Sequence, residues 1–147
     1  MSLLIRSTFA ALAFGGAVCA PLTATATALH DAALKVTTSA SSQDFIQKSY
    51  NIKGNWSVIQ EGGKTIIRFS DDFKTKKGPD LKVFLSPQTV ADVTGRTALE
   101  GAVTLGVLKA NKGTQDYIVP AGVSLIDFSS VLIHCEAYSV LWGGGRL

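Results

Sequence analysis

A histidine, a cysteine and a glutamate stand at consecutive positions, His134-Cys135-Glu136, in the stretch Ser130–Gly143 near the C-terminus. The chain has two cysteines and two histidines. The other pair, Cys19 and His30, sits near the N-terminus. A thiol exchanges disulfides or binds metal as the thiolate, and otherwise packs as a small hydrophobe. Which of these applies to Cys135 depends on where its side chain points. The stretch reads as a strand, a short break and a second strand, and side chains alternate faces along a strand. Val131, Ile133 and Cys135 therefore share one face, expected to point into the core. Leu132, His134 and Glu136 share the other, expected to be wetter, with His134 and Glu136 pairing at the surface. His134 and Cys135 then diverge, which argues against one metal ion held by both.

Other chemistries have less to stand on. Asp71, Asp72 and Asp80 form the only notable carboxylate group, and their places at a strand end and in Gly78-Pro79-Asp80 suit turn chemistry. A calcium site would need more oxygen ligands converging. The sequence has no Ser-His-Asp arrangement, phosphate-binding glycine loop or HExxH motif. Gly143–Gly145 is terminal and opens no helix. No cofactor and no metal site are expected.

The elements that position Cys135 follow from the pattern of short apolar runs and turn residues. Phe9–Ala20 is an apolar run after Arg6, ended by Pro21 and followed by Ala24-Thr25-Ala26 and Ala26-Thr27-Ala28. It reads as an export signal over 1–28, too short for a spanning helix. Residues 29–44 are expected to be a flexible leader that includes His30. The domain proper is expected over 45–147, as a single antiparallel β-sandwich of an all-β fold. Gly62-Gly63 predicts a two-residue hairpin turn between Trp56–Glu61 and Lys64–Ser70. Leu81–Ser86 is a strand ended by Pro87, and 88–101 is a longer mixed connection without a helix. Strands follow over 102–108 and 114–119, then a short turn or helix within 123–129. Trp56, Val83, Leu85, Val131 and Ile133 are the expected core.

Removing the signal removes Cys19, so Cys135 becomes the only thiol and no intramolecular disulfide is available. The formal net charge is +3, and loss of Arg6 leaves thirteen basic residues against eleven acidic ones. Lys74, Lys76, Lys77 and Lys82 cluster without arginine or interleaved aromatics. That pattern fits a solvated loop better than a nucleic-acid surface. No nucleic acid partner and no membrane span after signal cleavage are expected, and a periplasmic or secreted location is.

The order of landmarks resembles the DM-thirteen domain family, also called the electron transfer DM domain. The landmarks are Gly54, Asp72-Phe73, Gly78-Pro79-Asp80-Leu81 and Val83-Phe84-Leu85-Ser86. Then come Leu105-Gly106-Val107-Leu108-Lys109, Gly113-x-Gln115-x-Tyr117-x-Val119-Pro120 and Val131-x-Ile133-x-Cys135-x-x-Tyr138-x-Val140. The resemblance covers Phe45 to Leu147 and implies a β-sandwich related to the DOMON domains, which bind haem or sugars. It also implies a redox or electron-transfer role with Cys135 matching the family's single cysteine. Two departures stand out: His134 where the family often has an aromatic residue, and Gly143-Gly144-Gly145 where a small residue is usual, which predicts a looser last strand. DOMON cytochromes ligate haem through Met and His. Met1 is the only methionine and leaves with the signal, and His30 lies in the leader, so His134 alone does not make a six-coordinate site.

Two functions fit. One is an exported redox or electron-transfer accessory domain that uses Cys135 with a redox or binding protein partner. The other is a non-catalytic extracytoplasmic ligand-binding or adhesion module in which Cys135 is structural. They differ in whether the sulfur reaches solvent. The position of Cys135 at a strand end predicts partial exposure at the sandwich rim.

Overall fold

The computed structural model describes residues 41–147, so the expected signal, Cys19 and His30 lie outside the described residues. Short alternating runs separated by Gly, Pro and Asp give strands, all paired antiparallel. In chain order they are β1 (Gln43–Asp44), β2 (Ile46–Gln47), β3 (Ile52–Lys53), β4 (Asn55–Glu61), β5 (Lys64–Phe69) and β6 (Lys74–Thr75). They continue as β7 (Leu81–Ser86), β8 (Val103–Val107), β9 (Gln115–Ile118), β10 (Ser130–Cys135) and β11 (Val140–Arg146). One sheet has the order β1-β4-β5-β9, a second the order β2-β11-β10-β7-β8, and β3-β6 form a small ribbon. The all-β sandwich expected from the sequence is what forms. Gln43–Asp44, at the end of the segment expected as a leader, pair with Trp56 and Asn55.

The two sheets close on one apolar cluster. Trp56, Ile67, Phe69, Phe73 and Tyr117 meet Val83, Leu85, Val131 and Ile133 there, all nearly or fully buried. Each such aliphatic side chain contributes about 1.5–3 kcal/mol by leaving water. The expected core residues are all in it. The hairpin is also as expected, with Gly62 and Gly63 at φ 56° and 72°. Both central residues of that turn type need positive φ, so glycine suits both.

Two expectations are corrected. The connection over 88–101 has no helix, as expected, and it packs on the sheet. Its Val90, Val93 and Ala98 pack on Phe84, Leu132 and Leu141 as a second apolar cluster. Ser86 Oγ donates to the Ala98 carbonyl at 3.1 Å and Gln88 Nε2 to Thr97 O at 2.9 Å, tying the connection down. Strand β10 is thereby buried on both faces at all six positions, so its second face is not wet.

The last strand is not loose either. Gly143, Gly144 and Gly145 are buried in β11. A Cβ on Gly145 would run into the Trp56 indole, and one on Gly144 into the Val131 carbonyl. Glycine here admits an indole against bare backbone, a close approach rather than slack. Among the described residues no helix is long and apolar enough to cross a membrane.

Candidate functional site

Cys135 is the last residue of β10, in register with Leu81 of β7 on one side and Val140 of β11 on the other. Strand alternation turns it inward with Val131 and Ile133, as expected, and all three belong to the main core cluster. The expected partial exposure is corrected: Cys135 is free and 0 % exposed. The rim is closed by the chain that follows. Glu136–Tyr138 form one 3-10 turn, and Ser139 at φ 51° and ψ 47° reverses the chain into β11. Glu136 N donates to Asp80 O at 3.1 Å, and Ser139 N to Glu136 O at 3.1 Å. The Lys82 ammonium pairs with the Glu136 carboxylate and lies 3.5 Å from Asp80 Oδ1. Hydrogen bonding to Glu136 chiefly raises the Lys82 pKa, with Asp80 adding to the rise. This corner is an ion-paired clasp across the strand ends next to the thiol.

His134 takes a different place from the one expected. It is 1 % exposed, and Nε2 lies 2.6 Å from the Gly95 carbonyl oxygen. A carbonyl only accepts, so Nε2 carries the hydrogen and Nδ1 is the bare nitrogen. Nδ1 has no partner among the described residues. Phe84 stands edge-on to the ring at 6.2 Å. The expected His134–Glu136 surface pair does not form, because the 88–101 connection covers His134 while Glu136 turns to Lys82. A histidine between apolar neighbours carried no sequence signal for that contact, since Gly95 lies 39 residues away. The divergence of His134 from Cys135 holds.

The bulge at Ile133/His134 lets Trp142 drop out of register between Gly143 and Leu141. Its ring stacks on Tyr50 at 3.8 Å, capping the core beyond β10. Across the other sheet, Arg68 grips Asp116 through Nε at 2.7 Å and Nη2 at 2.6 Å. That bond holds the Asp116 carboxyl below the usual range. Tyr117 OH donates to Gln115 Oε1 at 2.7 Å and accepts from Lys109 N at 3.1 Å. Burial pushes its phenol up to about 12. Both are structural polar networks, and neither presents a reactive group to a cleft.

Of the three Asp residues, Asp72 accepts from Ser70 Oγ at 2.5 Å and Asp80 faces Lys82. Among the described residues no group of three His, Cys, Asp or Glu side chains is arranged to hold a metal ion. The lysine cluster divides: Lys82 joins the clasp, while Lys74 lies in register with Lys53 and Lys112. The sequence could not show that register, because its partners come from separate loops.

The described residues thus form a small antiparallel sandwich with one enclosed thiol and an ion-paired corner beside it. The chain belongs to the electron transfer DM13 family, whose family model matches residues 44–146. No curated protein and no solved structure matches it.

Proposed function

We propose that the protein is an exported accessory domain of an electron-transfer process, with Cys135 as its redox group, enclosed at rest and exposed by a transient local opening that a partner captures. Membership of the electron transfer DM13 family supports the role. The observation that carries the site is the position of Cys135. It is the last residue of its strand, one residue before the exposed 3-10 turn, where a local opening reaches the sulfur without separating the sheets.

The chemistry open to a lone thiol is exchange. The deprotonated Cys135 sulfur attacks one sulfur of a disulfide on the partner, a mixed disulfide forms, and the other partner sulfur leaves as thiolate. A thiolate of a donor dithiol then attacks the Cys135 sulfur and frees the partner's second thiolate, and the donor's other thiolate closes the donor disulfide and returns Cys135 as thiolate. Two electrons thus pass from the donor dithiol to the partner disulfide, and Cys135 relays and does not store them. Exchange needs an exposed thiolate, usually beside a cation or a helix N-terminus. Neither lies on its face of β10, since Lys82 points to the opposite face beside His134. The activating group therefore belongs to the partner.

The complete burial of Cys135 also favours a second reading, a binding module whose cysteine is structural. Thiol labelling of the full chain against urea separates the two, with Cys135→Ala reporting any labelling of Cys19. Under the redox proposal, labelling is faster than global unfolding permits and insensitive to low urea. For a domain of about 5 kcal/mol stability, global opening alone slows labelling by about 10³–10⁴-fold. Labelling at that slow limit, rising with urea along the global unfolding curve, sinks the redox reading and leaves the binding module.

A further inference from the structure

We propose that Lys53, Lys74 and Lys112, with Lys76 beside them, form a docking surface for an acidic protein partner. Lys53 on β3 is directly opposite Lys74 on β6, and Lys74 is directly opposite Lys112 in an isolated antiparallel bridge. Directly opposed residues share a face of the sheet, and neighbouring strands lie about 4.8 Å apart. Three ammonium stems therefore leave one face in a row across β3, β6 and the bridging segment at Lys112. Lys76 follows Lys74 by two positions, with buried Thr75 turned inward between them. Its Nζ stands 5.8 Å from the Tyr50 ring centre. Lys53, Lys74 and Lys76 line a depression of about 190 Å³ with Asn51 and Thr75.

The row is uncompensated. Among the described residues the ion pairs use Arg68 and Lys82, and none uses Lys53, Lys74, Lys76 or Lys112. The nearest carboxylates along the chain are Asp71, Asp72, Asp80 and Asp116; Asp72 is engaged by Ser70 Oγ, Asp80 faces Lys82 and Asp116 is held by Arg68. Like charges directly opposite destabilise a strand pair. A ribbon of two-residue strands is a poor place to carry that repulsion. It is nonetheless held firmly: Thr75 N donates to Asn111 O at 2.9 Å, Gly113 N to Phe73 O at 2.9 Å and Thr75 Oγ1 to Asn51 O at 3.1 Å. Ile52 and Phe73 anchor it in the core at 2 % and 1 % exposure. Water and salt screen such opposed, unpaired cations, and an acidic surface set against them would neutralise them further.

The chemistry of the row selects the occupant. It contains no arginine, the residue suited to bidentate phosphate contact and to stacking on bases. The most exposed large apolar side chains, Val107, Ile118, Ile126 and Tyr138, belong to other elements, and the one aromatic beside the row, Tyr50, is stacked on Trp142 rather than free to enter a bilayer. Single carboxylates on a protein surface, met one ammonium at a time, fit a fast, weak, salt-sensitive encounter. The surface stands whether or not Cys135 reacts.

The test titrates the isotope-labelled full chain with a polyglutamate peptide and follows backbone amide shifts. Shifts centred on Lys53, Lys74 and Lys112 are expected, weakening from low to physiological salt. Lys74→Gln should lower the peptide affinity about fivefold, the worth of one charge near 4 Å in water. It should also raise the urea midpoint by relieving the row, which a lysine kept for structure would not do. Lys64→Gln, in the β4–β5 hairpin, should leave both unchanged, and Cys135→Ala should keep the binding. Absent or scattered shifts, unchanged affinity in Lys74→Gln or a lowered midpoint in that variant each overturn the proposal. Binding to phosphatidylglycerol vesicles or duplex DNA in place of the peptide overturns the acidic-protein assignment.

Discussion

Cys135→Ala and Cys135→Ser should differ in a direction set by the enclosure of the sulfur. Leu81, Val140 and Ile133, its cross-strand and flanking core neighbours, are all aliphatic. Alanine removes a group about the size of a methylene, costing about 1 kcal/mol once the small cavity is included. Serine places a hydroxyl among those aliphatic groups. A buried hydroxyl without a partner costs about 1–3 kcal/mol on its own, so serine should cost about 2–3 kcal/mol in all. At about 4–8 °C for each kcal/mol in a domain near this size, the serine variant should melt well below the alanine variant. Urea unfolding followed by the fluorescence of Trp56 and Trp142, both buried, reads the order directly. The slope against urea should be the same for all three proteins, since the surface exposed on unfolding hardly changes. A serine variant as stable as alanine or the parent would mean that the sulfur sits in a wet pocket. That result would refute the enclosure of Cys135 and, with it, the need for the rim to open. A practical consequence is that alanine is the better redox-dead control.

Two further outcomes test the packing and the charge network. Gly145→Ala should destabilise by about 1–3 kcal/mol, the usual cost of overpacking, because the new methyl meets the Trp56 indole; a near-ultraviolet dichroism spectrum and melting point like the parent's would show that β11 gives way. The Arg68–Asp116 pair is partly exposed, at 39 % and 35 %, so Asp116→Asn should cost no more than about 1 kcal/mol. The Asp116 carboxyl is held low, chiefly by its bond to Arg68. Its stabilisation is therefore complete above the unfolded-state value near ~3.9 and fades as pH falls through it toward the lower folded value. Urea midpoints of the parent and Asp116→Asn should converge in acid, and a gap that widens there would reverse the assignment.

Much of the sandwich was legible because it rests on local periodicity. Val83, Leu85, Val131 and Ile133 alternate with other residues along their strands, and the structure buries all four. Gly62-Gly63 needs no tertiary partner to favour a hairpin, and the hairpin is there. Alternation also sent His134 and Cys135 to opposite faces, which the register with Lys82 and Leu81 confirms. It could not say what lies over each face. The face with His134 was expected to be wet because a strand pattern alone does not show the 88–101 connection folding back to put Val90, Val93 and Ala98 on it.

By itself, then, the sequence determined the all-β class, the longer strands along the chain though not the two-residue strands β1, β2, β3 and β6, the inward side of β10 and the family landmarks, all consequences of short-range pattern. Tertiary structure alone decided the closure of the rim over Cys135, where Glu136 N bonds to Asp80 O and the 136–138 turn leads back into β11. It alone decided that the terminal glycines admit Trp56 rather than loosen β11. It alone placed Lys53, Lys74 and Lys112 side by side. Each depends on pairing between distant segments, and such pairing is set by the energy of the whole packed core rather than by any window of residues.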